Sequence, residues 1–288
     1  MRARGRMDRG GVKAAPFEYL RAGTLDEAIS ALAADDGAKI IAGGQSLVPL
    51  MVMRLARPTL LVDVNDLGLD AVAVVNDEVR IGAAAPHNTL ERDPAIARAA
   101  PLVADAAALI GYPAIRVRGT IGGSVAHADP VAELPAVLVA LGAIVVAHGP
   151  AGAREIAAAD LFEGFLTTTL APDEVLVEVR MPEAGPRAGA AFCEWAPRAG
   201  DFAVAGVGVQ IERAVGGACA SVRGAACGVG AVPLDCSEML AGALGEVDPP
   251  DALLRDVARR FGEHELLGLL AARALNRAFV RADWDAAA

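Results

Sequence analysis

The sequence has no long uninterrupted apolar run. The longest candidate, residues 131–146, is interrupted by Glu133, Pro135 and Gly142. A membrane-spanning helix needs roughly 20 consecutive apolar residues, so we expect no membrane insertion. The hydrophobic fraction is nevertheless 54%, spread over 288 residues. This predicts a sizeable core, divided over two or three units.

Cysteines and clustered basic residues are also scarce. The four cysteines lie in the last third, and none forms a CxxC pair or has a histidine at ligand spacing: Cys193, Cys219, Cys227 and Cys236. We therefore predict no metal or iron–sulfur site in this chain, and reduced thiols in a cytoplasmic protein. The formal net charge of −10 argues against nucleic acid as a partner, because phosphate backbones attract clustered Lys and Arg.

The order of predicted elements indicates an α+β fold in three parts. Residues 1–11 are predicted to be a disordered extension. Residues 12–66 form a first subdomain, whose helix begins at the capping box Thr24-Leu25-Asp26-Glu27. Residues 67–184 form a second subdomain that opens with a hairpin across Asn76-Asp77. After a linker, residues 187–288 are predicted to form a smaller C-terminal α+β domain, with a three-stranded sheet followed by helices.

Two glycine-rich loops carry the candidate binding chemistry. The first glycine loop, residues 42–47, follows a short strand and reads Ala-Gly-Gly-Gln-Ser-Leu. Adjacent glycines let the backbone turn sharply and approach a ligand, and successive N–H groups in such a turn bind anions. The second glycine loop, residues 118–124, reads Arg-Gly-Thr-Ile-Gly-Gly-Ser. Neither loop is a GxGxxG or a Gly-Lys-Ser/Thr motif, so the pair indicates a diphosphate site outside the usual NAD and ATP folds.

These stretches resemble a known family. AGGQSL, followed by an Arg, a Pro and then LVDV, and IRVRGTIGGSVAHADPVAELPA are similar to the two flavin loops in the FAD-binding subunits of molybdenum hydroxylases. That family includes the medium subunit of aerobic carbon monoxide dehydrogenase and the FAD domain of xanthine dehydrogenase. Pro16-Phe17-Glu18-Tyr19 and Gly200-Asp201-Phe202-Ala203 extend the resemblance over nearly the whole chain from about Val12.

The resemblance implies a two-subdomain FAD-binding fold of the PCMH/VAO type and an oxidoreductase that is active within a complex. The implied partners are a molybdenum-binding large subunit and an iron–sulfur small subunit, in a heterotrimer that could itself dimerise. The molybdenum cofactor and the [2Fe-2S] clusters are expected in those partners only. Carried over residue by residue, the resemblance assigns FAD contacts to Ala42, Gly43, Gly44, Gln45, Ser46, Leu47, Thr120, Ile121, Gly122, Gly123, Ser124, His127, Asp129, Glu133, Leu176 and Asp201.

Some of these assignments leave alternatives open. We expect His127 to hydrogen-bond or pack, rather than to attach FAD covalently as in some relatives of the wider superfamily. Asp129 and Glu133 could serve acid–base chemistry, but carboxylates near a helix start also favour its dipole, so we assign no catalytic residue. Ser124 stands where Asn is common in the family, and Glu194 where many members have Lys. The other histidines are predicted to lie in loops or at the surface: His87, His148 and His264.

Two other functions stay open at this stage. A self-sufficient flavin oxidase would bind and oxidise its own substrate, but the roughly 100 residues after the linker are few for a substrate-binding cap. A non-catalytic assembly or cofactor-delivery protein would keep the fold without the activity, although both glycine loops are intact.

Overall fold

The computed structural model describes residues 14–262 and 264–284. The predicted disordered extension, residues 1–11, lies outside the described residues. The described chain combines helices with three larger sheets and one two-stranded sheet, so the predicted α+β class is confirmed. The subdomain and domain boundaries stay predictions. Among the described helices, none has both the length and the hydropathy required to cross a membrane.

The first sheet is parallel and has three strands in the order β1-β3-β2. Its elements are β1 (Glu18–Arg21), α1 (Leu25–Ala34), β2 (Lys39–Ile41), α2 (Leu47–Val52) and β3 (Leu60–Asp63). The predicted cap of α1 is confirmed, because Thr24 Oγ1 accepts a hydrogen bond from Glu27 N at 3.1 Å. Strand β1 is missing from the sequence prediction. Its residues are mostly exposed and show no apolar alternation.

The second sheet is antiparallel and has five strands in the order β4-β5-β10-β6-β7. These strands are β4 (Val72–Val75), β5 (Glu78–Gly82), β6 (Ile144–Gly149), β7 (Gly152–Ala157) and β10 (Val175–Pro182). The predicted hairpin is confirmed. Asn76 and Asp77 have φ values of 53° and 61°, the left-handed conformation that a tight two-residue hairpin turn requires. A separate two-stranded sheet pairs β8 (Phe162–Gly164) with β9 (Thr167–Thr168).

Short helices connect the strands of the second sheet. They are α3 (His87–Arg92), α4 (Pro94–Ala99), α5 (Pro101–Ala107), α6 (Pro113–Arg116), α7 (Ile121–His127), α8 (Glu133–Leu141) and α9 (Ala158–Leu161). Helices α3 and α4 are separate, because Pro94 starts a new helix that Asp93 caps. Helix α8 begins at Glu133 and ends where Gly142 adopts a left-handed φ of 62°.

The C-terminal sheet is antiparallel and has four strands rather than the predicted three. They are β11 (Ala188–Trp195), β12 (Ala205–Arg213), β13 (Cys219–Cys227) and β14 (Leu234–Asp235), in that order across the sheet. The sequence analysis missed β14 because two residues are too few to show an alternating pattern. The helices that follow are α10 (Ser237–Leu240), the 3-10 helix Ala241–Ala243, α11 (Asp251–Arg260) and α12 (Glu265–Trp284).

The C-terminal sheet is buried on both faces. Helix α12 packs so closely on one face that a Cβ added to Gly189 would lie 2.0 Å from Ala278 O. On the other face, Leu138 of α8 belongs to the same core cluster as Phe192 and Cys227. The main-chain N–H of Phe192 also donates to Asp105 at 2.6 Å. The C-terminal sheet therefore shares a core with helices α5 and α8 and with the second sheet.

Candidate cofactor site

The first glycine loop leaves consecutive main-chain N–H groups available. It connects β2 to α2, with Gly44 at a left-handed φ of 70°. The Gln45 side chain donates from Nε2 to Gly43 O at 3.0 Å, which tightens the turn. In the described part of the chain, no hydrogen bond uses the N–H groups of residues 43–46, and the exposed Ser46 hydroxyl does not cap α2. Such a row of donors fits the anionic diphosphate of a dinucleotide.

The two glycine loops are in direct backbone contact. A Cβ added to Gly43 would lie 2.0 Å from Arg118 O and 2.8 Å from Gly119 Cα. Real Cβ atoms essentially never approach this closely, so this contact is possible only with glycine at position 43. The structure thus brings together two segments that the sequence analysis placed in one site, although they are more than 70 residues apart in the chain.

The second glycine loop differs from the first in how its N–H groups are used. Thr120 caps α7, since its Oγ1 accepts from Gly123 N at 3.1 Å. The N–H groups of Ile121 and Gly122 donate to Ala85 O and Ala83 O at 3.1 Å and 2.8 Å. Most of the donors at the start of α7 are therefore already bonded within the protein. The second glycine loop can still contribute two things to a ligand site, namely a close approach of its backbone and the side chain of Ser124.

A hydrogen-bond network of Tyr19, Asp63 and Asn65 holds the start of the first glycine loop. Asn65 Nδ2 donates to Ala42 O at 3.1 Å and to Asp63 Oδ1 at 2.6 Å. The Tyr19 hydroxyl donates to the other oxygen of Asp63, and this hydrogen bond raises the pKa of Tyr19. The sequence analysis did not single out Asn65. The Asp-x-Asn spacing indicates only the local bonds between Asp63 and Asn65, and not the bond to Ala42.

Two buried polar residues, His87 and Arg116, lie next to the second glycine loop. His87 is 5% exposed, which corrects the prediction that it lies in a loop or at the surface. Its ring lies 3.0 Å from the Cβ position of Gly119, beside the main chain of Thr120. Burial, with a smaller contribution from the charge of Arg116, lowers the pKa of His87 to about 4, so the ring is neutral. The buried Arg116 forms an ion pair with Glu91 at 2.8 Å.

The segment between α7 and α8 carries three predicted site residues. His127 is the last residue of α7, which ends where Ala128 adopts a left-handed φ of 52°. Asp129 accepts a hydrogen bond from Val131 N at 3.1 Å, so it shapes the turn. Glu133 begins α8 and is buried. The turn leads from the second glycine loop directly to the C-terminal sheet, where Pro130 O accepts from Gly228 N at 2.8 Å.

Residues 15–184 match the protein family described as the FAD binding domain in molybdopterin dehydrogenase. The chain belongs to this family. It is 41% identical over 229 residues to 6-hydroxypseudooxynicotine dehydrogenase complex subunit alpha of Paenarthrobacter nicotinovorans, covering 79% of this chain and 77% of that protein. It is 38% identical over 199 residues to the carbon monoxide dehydrogenase medium chain of Hydrogenophaga pseudoflava, covering 68% and 69%. The fold matches the structure of carbon monoxide dehydrogenase from Hydrogenophaga pseudoflava with a TM-score of 0.87 and 33% identity, over 93% of this chain and 99% of that chain.

Membership of the molybdopterin dehydrogenase family confirms the resemblance, the FAD cofactor and the oxidoreductase class. The individual FAD contacts stay predictions. The side chain of Leu176 is packed in the core with 6% exposure, so it is poorly placed to contact FAD. Asp201 is partly exposed, and exposed aromatic side chains at Trp195 and Phe202 lie near it in the chain. Among the described residues, no cluster of His, Cys, Asp and Glu could hold a metal ion.

We expect Asn65→Ala to weaken FAD binding about five- to tenfold with little loss of stability. The substitution removes the hydrogen bond to Ala42 O, and one such bond contributes about 1 kcal/mol. Because Asn65 is exposed, the core is unaffected. FAD titration followed by flavin fluorescence measures the affinity. Asn276→Ala, an exposed Asn on α12, is the matched control. Equal FAD affinities in the two variants would show that the hydrogen bond from Asn65 to Ala42 does not contribute to FAD binding.

Proposed function

We propose that this chain is the FAD-carrying electron-transfer subunit of a molybdenum-dependent hydroxylase or dehydrogenase complex. It accepts electrons from iron–sulfur clusters of a small partner subunit and passes them to an external acceptor. A large partner subunit holds the molybdenum cofactor, in a heterotrimer that could itself dimerise. The observation that carries the proposal is the contact between the two glycine loops, which sets the open N–H groups of residues 43–46 beside the second loop. A cytoplasmic location stays a prediction.

The residues of this chain bind and orient the cofactor, and FAD supplies the redox chemistry when bound. The first loop receives the diphosphate through its main-chain donors and the Ser46 hydroxyl. The second loop approaches the cofactor with the exposed Gly123 and the Ser124 hydroxyl, whereas Gly122 is buried against Ala83. The C-terminal domain contributes the exposed rings of Trp195 and Phe202, which suit the flat, apolar part of a flavin.

The names of the relatives support a division of labour between chains. One relative is a complex subunit alpha, and others are medium subunits or chains of nicotine 6-hydroxylase and carbon monoxide dehydrogenase. In this proposal the metal centres that supply the electrons belong to the partner subunits. We therefore assign substrate oxidation to the partner that carries molybdenum.

We expect the isolated, FAD-loaded chain to be reduced by dithionite but not directly by a substrate of the complex. Nicotine, caffeine and carbon monoxide, which the names of the relatives suggest, are mixed with it anaerobically while the flavin absorbance is followed. The complex purified from the native host should contain molybdenum and iron, and its own substrate should bleach its flavin. Rapid bleaching of the isolated chain by a substrate would favour the self-sufficient oxidase. Failure to bind FAD would favour the assembly protein.

A further inference from the structure

The loop that joins β11 to β12 lies against the ring of Tyr112. This β11–β12 loop, residues 196–204, carries Gly200 at a left-handed φ of 86°. A Cβ added to Gly200 would lie 2.6 Å from Cε1 of Tyr112 and 2.8 Å from both Cδ1 and Cζ. Real Cβ atoms essentially never come this close. The backbone of the loop is therefore packed along the side of the ring, and only glycine fits at position 200 while the ring keeps this place.

The local sequence fixes the backbone from which the Tyr112 ring projects. Pro113 follows it, and a residue before proline is driven into the extended region. Tyr112 accordingly has φ −96° and ψ 160° at the start of α6. Its carbonyl group accepts hydrogen bonds from Ile115 N at 2.8 Å and Arg116 N at 3.1 Å. Arg116 also donates to Gly111 O at 3.0 Å. The ring thus has a fixed origin, although Tyr112 is 52% exposed.

Two consecutive hydrogen-bonded turns connect Tyr112 with the glycine loops. In the first, Ile115 N donates to Tyr112 O, and in the second, Gly119 N donates to Ile115 O at 2.7 Å. Gly119 belongs to the second glycine loop, and its Cα would lie 2.8 Å from a Cβ at Gly43 of the first glycine loop. The contact between Tyr112 and Gly200 therefore links the C-terminal sheet to both glycine loops.

The tip of the β11–β12 loop has few other contacts that could hold it. The loop is closed at its base, where Val204 N donates to Trp195 O at 2.8 Å, and Asp201 N donates to Arg198 O at 3.1 Å within it. In the described part of the chain, no backbone hydrogen bond joins residues 197–202 to another segment. Phe202 is 78% exposed. Packing on the Tyr112 ring is therefore the contact that sets the position of the tip.

We propose that Tyr112 is a positioning residue, which holds the β11–β12 loop beside the two glycine loops so that the C-terminal sheet closes one side of the FAD site. The inference rests on the proposed function, since the resemblance assigns Asp201 of this loop to the cofactor. The contribution of Tyr112 is steric, because the atoms in contact with Gly200 are ring carbons. Phenylalanine should therefore replace it without loss, whereas alanine should release the loop.

The first experiment tests the contact in the full-length chain without FAD. Gly200→Ala introduces the Cβ that meets the ring. Gly217→Ala is the matched control, because Gly217 has nearly the same φ, 84°, and its added Cβ has no neighbour closer than 3.9 Å. Gly200→Ala should lower the Tm by at least about 2 °C more than the control does. In the Tyr112→Ala background this difference should vanish, because the ring is gone. Equal Tm losses for the two glycine variants in the presence of Tyr112 would overturn the proposal.

The second experiment measures the position of the loop by limited proteolysis. Trypsin cleaves after Arg198, which is exposed, and mass spectrometry identifies that cut. Cleavage requires local opening of the loop, so Tyr112→Ala should be cut there roughly tenfold faster than wild type. Tyr112→Phe should be cut at the wild-type rate. Cleavage after Arg255 of α11 is the internal reference for general unfolding and should not change. Equal cleavage after Arg198 in wild type and Tyr112→Ala, or a parallel rise at both sites, would contradict a positioning role.

The third experiment tests the link to FAD. Tyr112→Ala should raise the Kd for FAD about tenfold, and Tyr112→Phe should restore the wild-type value. Bound FAD should also slow cleavage after Arg198 in the wild type, because the loop borders the cofactor. Unchanged FAD affinity in Tyr112→Ala, despite a released loop, would overturn this inference and leave the proposed function intact. A wild type that binds no FAD would overturn the proposed function and the link to FAD together, and the first two experiments would still decide whether Tyr112 holds the loop.

Discussion

Gly43→Ala is expected to remove most of the FAD from the purified chain and to raise the Kd for FAD about 100-fold or more. The added Cβ would lie 2.0 Å from Arg118 O and 2.6 Å from Arg118 C. Both are main-chain atoms that cannot rotate away, so the two glycine loops must separate. A hydrogen bond to a charged group contributes about 1.5–3 kcal/mol, so losing one or two of the bonds to the diphosphate corresponds to about 100-fold in Kd. Overpacking costs roughly 1–3 kcal/mol of stability as well.

Other glycines of the chain provide graded controls for this variant. Gly164→Ala should be neutral, since no heavy atom lies within 4 Å of its added Cβ. Gly123→Ala should fall between the two, because its Cβ meets only the Thr120 hydroxyl, at 2.9 Å, and disturbs a helix cap that contributes about 1 kcal/mol. The measurements are the flavin-to-protein ratio after purification and an FAD titration. Wild-type flavin content in Gly43→Ala would show that the contact between the loops is dispensable.

The features that the sequence predicted correctly are local ones. The cap at Thr24 and the hairpin turn at Asn76 and Asp77 depend on a few adjacent residues, so their patterns are visible without a structure. The glycine loops are recognisable for the same reason, and the family resemblance then supplied the cofactor. Strands β1 and β14 were missed because one is exposed and the other is only two residues long.

The parts of the site that escaped sequence analysis depend on contacts between distant segments. Nothing around Asn65 shows that its amide reaches Ala42 across 23 positions. His87 looks like a surface residue beside Asn88 and Thr89, yet it is buried against Gly119. Leu176, which the resemblance assigns to the cofactor, has its side chain packed in the core, so the predicted contact would have to use its main chain. The folded structure is needed to distinguish residues that face a ligand from residues that hold the ligand-facing residues in place.

Arg116→Met is expected to lower the free energy of unfolding by about 3–5 kcal/mol and to weaken FAD binding. Arg116 forms two hydrogen bonds with Glu91, at 2.8 Å and 3.3 Å, and its side chain is only 10% exposed. It also donates to Ile110 O and Gly111 O, at 3.2 Å and 3.0 Å. Removing one partner of a buried ion pair leaves an uncompensated charge, which is the costly case. Urea unfolding measures the effect, and Arg92→Met, at an exposed position of α3, is the control.

A double variant, Arg116→Met with Glu91→Met, separates the two roles of Arg116. Replacing a whole buried ion pair by apolar residues is often nearly neutral, so we expect the double variant to regain most of the stability. The carbonyl groups of Ile110 and Gly111 would still lack their donor, in the segment that leads into the second glycine loop. FAD affinity should therefore stay reduced in the double variant even though its unfolding free energy recovers. Recovery of both quantities would mean that Arg116 only neutralises Glu91, and Arg116→Met with wild-type stability would mean that the buried pair is not formed.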